Sequence, residues 1–387
     1  MTDTISLGDA VALTALLVRQ DSRNPALVPG APGEAEVART LASVLRDWGF
    51  AVELSDSSPG RPNVIARIGP SGGATLMLNG HLDTVGVEAM AHPPFEPTQR
   101  DGRLYGRGSA DMKGGVAAMC AAAARAASSG ALRCGLVVTA VTDEEFESEG
   151  TRAVIASGIR ADAAIVTEPT RLAIAPAHRG FAWIELTVHG RAAHGSRYDI
   201  GVDAIRHAAL VLAELDRHER ETLSARTHRL LGHASLHAST IEGGVGWSTY
   251  PDRCVVRIER RTLPGESADD ALTEVQEACA RVRHSGVPLQ AHTLLQFAQG
   301  PSDVAEDAPV VRALARAIGA NGEDVRMEGL SAWTDAALLN DAGIPAICYG
   351  PGDISLAHSA TEWVPVAEIE RATAVLERLV RDWPEER

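Results

Sequence analysis

Apolar positions along the chain follow two different patterns, and the change falls near Gly180. Upstream of it, short stretches that are apolar throughout alternate with longer helical repeats. Ala74–Asn79, Gly135–Val141 (GLVVTAV) and Ala163–Val166 lack the alternation of a half-solvated strand, so they read as strands covered on both faces. Helices are predicted over Val11–Val18, over Gly33–Trp48 with Gly49 placed to end it, and over Lys113–Ala127 behind a glycine-rich turn. Fully apolar strands separated by helices predict a mostly parallel sheet with helices on both sides.

From Gly180 the period shortens to two. Phe181–Val188 (FAWIELTV) alternates, which leaves one face to solvent. A helix over Gly201–Arg217, strands at Ala234–Ile241 and Arg253–Thr262, a helix over Ala268–Val282 and a strand at Leu289–Phe297 follow. The order β-α-β-β-α-β is that of a split, ferredoxin-like α+β unit. After Gly300 the chain returns to helix, strand (Ala346–Tyr349) and helix. The economical reading is a discontinuous α/β domain, residues 1–179 and 298–387, with a smaller domain, residues 180–297, inserted in it.

Composition narrows the classes of partner. A chain of 387 residues with 45% hydrophobic and 22% charged residues is an ordinary globular protein with room for two domains. Its net charge of −15 argues against nucleic acid or an anionic membrane as a partner. The five cysteines (Cys120, Cys134, Cys254, Cys279, Cys348) are scattered without a CxxC pair, so they suggest neither a disulfide framework nor a thiolate metal site, and they fit a reducing compartment. The run Val11–Val18 follows Asp3 and Asp9 and lacks a basic start, which makes it a poor signal peptide. No apolar stretch approaches the roughly 18 residues of a membrane span. A cytoplasmic protein is expected.

Candidate chemistry sits where the apolar strands end. After Leu76-Met77-Leu78 come Asn79-Gly80-His81-Leu82-Asp83; after GLVVTAV come Thr142-Asp143-Glu144-Glu145; after Ala164-Ile165-Val166 come Thr167-Glu168-Pro169; and after Ile347-Cys348-Tyr349 a glycine turn leads to His358. Open parallel sheets bind ligands beyond the carboxyl ends of their strands. The Tyr105–Gly115 loop adds Asp111 just before a helix. Two imidazoles and three carboxylates exceed what one tetrahedral zinc with an open position takes; they suit two metals about 3.5 to 4 Å apart, sharing a carboxylate and a water. His81 and Asp83 lie on the same side of an extended segment, so Asp83 can accept the second N–H of a ligating His81. Glu144 and Glu145 point to opposite sides of theirs, so one can bind metal while the other acts as general base.

Other features read as structural. Cys120 lies in an alanine-rich helix and packs the core; His233 and His237 lack a third ligand and belong to the surface; Asp143 reads as a solvated loop carboxylate. The glycines of GRGSADMKGG lack the GxxxxGK[ST] spacing of a phosphate loop.

The segments NGHLDTV, YGRGSADMKGG, TDEEFESEGT and VTEP, with the late His358, resemble in order and spacing the acetylornithine deacetylase, succinyl-diaminopimelate desuccinylase and carboxypeptidase G family of dinuclear zinc amidohydrolases and exopeptidases. The resemblance runs from the first helix to His358. It implies a zinc-exopeptidase-like catalytic domain and an inserted lid and dimerisation domain. It implies two zinc ions per subunit, with cobalt or manganese as substitutes: His81 and Glu168 on one, Glu145 and His358 on the other, Asp111 between them. Glu144 would be the general base and Asp83 would orient His81. In the inserted domain, RAAHGS resembles the lid motif whose histidine, here His194, polarises the scissile carbonyl. ERRTLPGE resembles the segment whose arginine binds a substrate carboxylate, with Arg261 the better alignment and Arg260 the alternative. Gly329–Asp335 resembles a substrate-contacting loop, making Ser331 and Thr334 candidate contacts. Ser248 stands where many relatives carry asparagine, and a hydroxyl reaches less far than an amide. The expected activity is removal of an acyl group from an N-acylated amino acid by a metal-bridged hydroxide. The alternatives are a zinc carboxypeptidase or dipeptidase acting on short peptides and, in another class, a metal-binding relative without catalysis. A homodimer through the inserted domain is expected.

Overall fold

The apolar runs pair side by side in the structure, a computed structural model that describes residues 5–130 and 132–384; Asp3 lies outside them. Thr75–His81 runs parallel to Gly135–Val141 on one side and to Ala163–Val166 on the other, with Leu78 opposite both Val138 and Ile165. Ala346–Cys348 adds parallel to Ala163–Val166. These four strands are buried almost throughout, as their unbroken apolar sequences require. Burying one Leu or Val of such a strand contributes about 1.5 to 3 kcal/mol.

The flanks of the sheet differ from the expected parallel pattern. Arg61–Ile68 lies antiparallel to Gly135–Val141, and Ala51–Ser58 pairs antiparallel outside it. At the other side Ile174–His178 is antiparallel to Ala346–Cys348. The sheet is therefore parallel at its centre and antiparallel at its borders. Ala51–Ser58 (AVELSDSS) has no buried residue, so its sequence carries no strong apolar period.

Helices close the sheet. Ala35–Asp47 ends at Gly49, whose φ of 91° suits glycine; the amides of Gly49 and Phe50 bond the carbonyls of Arg46 and Leu45, so the last turn keeps its acceptors satisfied. Gly114–Ser128 is buried along nearly its whole length, and its alanines let the Val366–Asp382 helix pack against it. Cys120 is buried in this helix, as its surroundings predict.

The chain divides into two compact units: Met1–Pro176 with Val304–Glu328 and Thr334–Arg387, and Ala177–Asp303 with Gly329–Trp333. In the second unit four antiparallel strands lie in the order Ser235–Gly243, Arg253–Thr262, Gly180–His189, Gln290–Gln299. Along Gly180–His189 alternate residues are buried (Ala182, Ile184, Leu186, Val188), the half-covered face that the alternation predicts. Helices Ala204–Glu221 and Ala268–His284 belong to this unit, the second opened by a capping box between Ser267 and Asp270. Among the described residues no helix is long and apolar enough to cross a membrane.

Candidate active site

Register brings the strand-end motifs of the first unit to one edge. His81 is opposite Val141, Asn79 opposite Val166, and Cys348 opposite Val166, so the segments that follow these strands start at nearly the same level. The glycines of the following turns admit close approach. A side chain at Gly115 would place its Cβ 2.0 Å from the carbonyl oxygen of Thr167, and one at Gly350 would sit 2.6 Å from that of Glu168. Only glycine lets these two segments press against the backbone that carries Glu168.

Asp111 lies between the two imidazoles. Its Oδ1 is 3.1 Å from His81 Nε2 and its Oδ2 is 3.5 Å from His358 Nε2. Glu145 Oε2 is 2.9 Å from the same His358 nitrogen. Ligand atoms of His81, Asp111 and Glu145 all fall within 4.8 Å of one another. Glu144 approaches from the His81 side, Oε2 to Nε2 4.0 Å. Glu168 is buried, and its Oε1 has no hydrogen-bond partner.

His81 is held for ligation. Its Nδ1–H donates to the main-chain oxygen of Asp83 at 3.0 Å, which turns Nε2 towards Asp111 as the nitrogen that would ligate once it gives up the proton it shares with that carboxylate. The Asp83 carboxylate stands farther off, at 3.6 Å. That carboxylate instead accepts the amides of Glu144 and Glu145, both at 3.1 Å. Asp83 thus fixes the backbone of the two glutamates more directly than it orients the imidazole.

Behind Asp83 lies a polar chain that the motifs did not reveal. Asn24 Nδ2 donates to Asp83 at 2.9 Å and to Asp143 at 3.0 Å; Arg61 bonds Asp143 at 2.8 Å and Glu34 through its Nε at 2.9 Å. Asp143 is 1% exposed and accepts the amides of Glu147 and Glu149, so the reading of it as a solvated loop carboxylate is overturned. Its φ of 67° turns the chain at the start of the Glu144–Glu145 segment. Nothing in the local sequence marks Asn24, Glu34 or Arg61, because their bonds span dozens of residues.

The electrostatics fit a cation. Burial pushes the carboxyls of Glu144 and Glu168 well above the ordinary carboxylate range; His81 opposes this for both, while Glu168 adds to it for Glu144 and Asp111 adds to it for Glu168. Glu145 is raised by burial and by the charge of Asp111. For Asp111 burial works in the same direction, but hydrogen bonds from His358 and His81 overcome it and hold the carboxyl low. His358 is pushed up to about 10 by its bonds to Asp111 and Glu145. Carboxylates forced together with an orphaned buried oxygen at Glu168 are the donor set of a hard or borderline divalent ion.

Asp335 is also buried here; its Oδ2 accepts from Thr151 Oγ1 at 2.7 Å while Oδ1 is unpartnered. Burial raises it from 3.8 to about 6, against the Thr151 bond. A carboxyl raised in the folded state costs nothing below its unfolded value and destabilises increasingly until the folded value is passed. Between those limits this group should remove up to about 3 kcal/mol of stability. Urea unfolding of chelator-treated Asp335→Asn should accordingly lack a stability loss that the wild type shows between about pH 4 and 6. Parallel curves for the two proteins would refute it.

Thr334 is buried in the first unit, its hydroxyl 3.3 Å from Cys348 Sγ and accepting the amide of Ala336 at 3.2 Å, so it is built into the fold. His194, Ser248, Arg261 and Ser331 belong to the second unit. The His194 and Ser248 loops lie together: the Gly195 amide bonds the Ser248 carbonyl at 2.7 Å, and His194 Nδ1 is 2.8 Å from Ser196 Oγ. Arg260 is 1% exposed and tied to Glu274 and Glu266, whereas Arg261 is partly exposed, with Phe181 5.5 Å beneath its guanidinium and Glu259 beside it. Ser331 is exposed, and so are His233 and His237.

An α/β sheet whose strand ends gather imidazoles and carboxylates about a shared aspartate is the frame of a metal-dependent hydrolase. Peptidase family M20/M25/M40 matches residues 77–382, and the chain belongs to that family of metal-dependent hydrolases of amide or peptide bonds. It is 32% identical to an acetylornithine deacetylase of Myxococcus xanthus, over 86% of this chain and 88% of the relative. It is 29% identical to N-formyl-4-amino-5-aminomethyl-2-methylpyrimidine deformylase of Bacillus subtilis, over 92% and 91% of the two chains. Among solved structures, aminopeptidase PepT of Bacillus cereus shares the fold, with a TM-score of 0.79, 21% identity, and coverage of 98% and 99%.

Proposed function

We propose that this chain removes an acyl group from an N-acylated amino acid and holds two zinc ions to do so. The observation that carries the reading is Asp111, with one carboxylate oxygen towards His81 and the other towards His358. His81 and Glu168 would hold one ion, Glu145 and His358 the other, and Asp111 would bridge. The mixed nitrogen and oxygen donors would also accept cobalt or manganese. When bound, such a pair acidifies a shared water and polarises the substrate carbonyl. Glu144 takes the proton of the attacking water and returns it to the leaving amine. Its half-buried place beside His81 and its raised proton affinity support that role. His194 donates to the carbonyl oxygen as negative charge grows on it. Arg261 anchors the substrate carboxylate, with Ser248 and Ser331 as further contacts. Both relatives by sequence are named for deacylations, which favours an N-acyl substrate over a dipeptide.

Residues 180–297 serve in this reading as lid and dimerisation domain, and residues 1–179 and 298–387 as the catalytic domain. The outer strand Ser235–Gly243, exposed from His237 onward, supports pairing of two copies through the insert. Five buried, unpaired cysteines support a cytoplasmic setting.

The test is a panel of N-acetyl and N-succinyl amino acids and dipeptides, assayed with metal supplied. Turnover is expected on N-acyl amino acids. Turnover confined to dipeptides would move the assignment to an exopeptidase, and none on the whole panel to a non-catalytic relative. Arg261→Ala should raise KM for the preferred free-carboxylate substrate about 10- to 100-fold, the worth of one charged hydrogen bond. An equal loss on the esterified substrate would remove the anchor role.

A further inference from the structure

We propose that Glu362 is a positioning residue of the metal centre, one buried carboxylate that ties the Asp111 loop to the His358 turn. The proposal rests on the two-ion reading above. Between Gly108 and Met112 the backbone leaves any regular ladder: Gly108 is left-handed, Asp111 has φ −121° and ψ 94°, and Met112 has φ −133° and ψ 35°. Their amides therefore need acceptors from elsewhere. Glu362 supplies them for Gly108, Ala110 and Asp111. Its Oε1 accepts the amides of Ala110 at 3.0 Å and Asp111 at 3.1 Å, and its Oε2 accepts the amide of Gly108 at 3.1 Å and Arg107 Nη1 at 2.6 Å. Its main-chain oxygen accepts the amide of Gly106 at 3.3 Å. Glu362 is fully buried and Arg107 is 3% exposed, so the pair is closed off from water.

The other end of the tie is short. Glu362 follows His358 by four residues, and the next residues, Trp363–Pro365, pair with Arg103–Tyr105 at the start of the same loop. His358 has φ 58°, a conformation that a non-glycine residue keeps only when its surroundings impose it. Both oxygens of Glu362 are taken up by donors, so it is not itself placed to ligate. It acts through Asp111 and His358, whose separation decides whether one carboxylate can serve two ions. No motif singled out Glu362, because its partners lie some 250 positions earlier in the sequence.

The test is calorimetric titration of Zn2+ into the chelator-treated full chain, with Co2+ absorption as a second readout. Wild type should take up two equivalents. Glu362→Gln keeps the size but sets an amide N–H among N–H donors. It should bind at least one equivalent about 10- to 100-fold more weakly, the usual consequence of losing an outer partner of a metal ligand, and should alter the Co2+ spectrum. Affinities and spectrum matching wild type, with only a lower melting temperature, would make Glu362 merely structural and overturn the proposal. If Glu362→Gln does not fold, Glu362→Asp is titrated instead: weaker binding with an altered spectrum supports the positioning role, and wild-type behaviour overturns it. A wild type that binds no ion would defeat the two-ion reading itself, a different result from two ions bound equally well by wild type and variant.

Discussion

Glu144→Gln should retain its metal and its fold and lose turnover by about 10²- to 10⁴-fold, the usual worth of a positioned general base. Glutamine matches glutamate in size but cannot take a proton. The bond to Asp83 would survive, because it is made by the backbone amide of residue 144, at 3.1 Å. The loss should therefore fall on kcat rather than KM. Glu144 also sits where a base is useful: it is half-buried beside His81, and its desolvation together with the nearby carboxylates raises its affinity for a proton above that of a free glutamate. Activity above a few per cent of wild type would mean that another group takes the proton, and the assignment of roles between Glu144 and Glu145 would have to be revised.

Asp111→Asn should be the most damaging change to the metal centre. Asp111 faces His81 with one oxygen and His358 with the other, so in the proposed two-ion arrangement its loss would touch both ion positions, whereas loss of Glu168 or Glu145 would touch one. The same crowding predicts strong coupling of metal to stability. Ions at about 1,000 times their dissociation constant should stabilise the fold by about 4 kcal/mol, visible as a rise of several degrees in the melting temperature on reloading the chelated protein. Metal affinity should also rise with pH through the neutral range, because His358, raised to about 10 in the metal-free protein, must give up its proton to ligate. In that metal-free protein the stabilising contribution of His358 is complete below 6.5 and is lost as pH climbs towards 10. A chelated protein whose melting temperature is unmoved by Zn2+ would contradict this coupling.

The parts of the molecule that obey a local rule were legible in the sequence. Gly135–Val141, Ala163–Val166 and Arg253–Thr262 form as strands with the bounds their apolar periods mark. Gly49 ends its helix because only the left-handed conformation closes that turn. The convergence of His81, Glu145 and His358 followed from strands that end at one edge of a sheet parallel at its centre, and Asp111 was marked by the glycine-rich loop that opens a helix. What stayed hidden depends on distant partners or on half-solvated backbone. Ala51–Ser58 is a border strand with no buried face, so no period announced it. Asp143 looked like a loop carboxylate because its partners, Asn24 and Arg61, come from more than 80 positions away. Thr334 looked like an open contact within its motif, yet its hydroxyl is turned inward to Cys348 and Ala336.

The central claim is a pair of divalent ions held through Asp111, and elemental analysis of protein prepared without chelators tests it most directly. Two equivalents per chain are expected in the wild type and at most one in Asp111→Asn. A wild type that carries no such ion, or an Asp111→Asn protein that still carries two, would contradict it.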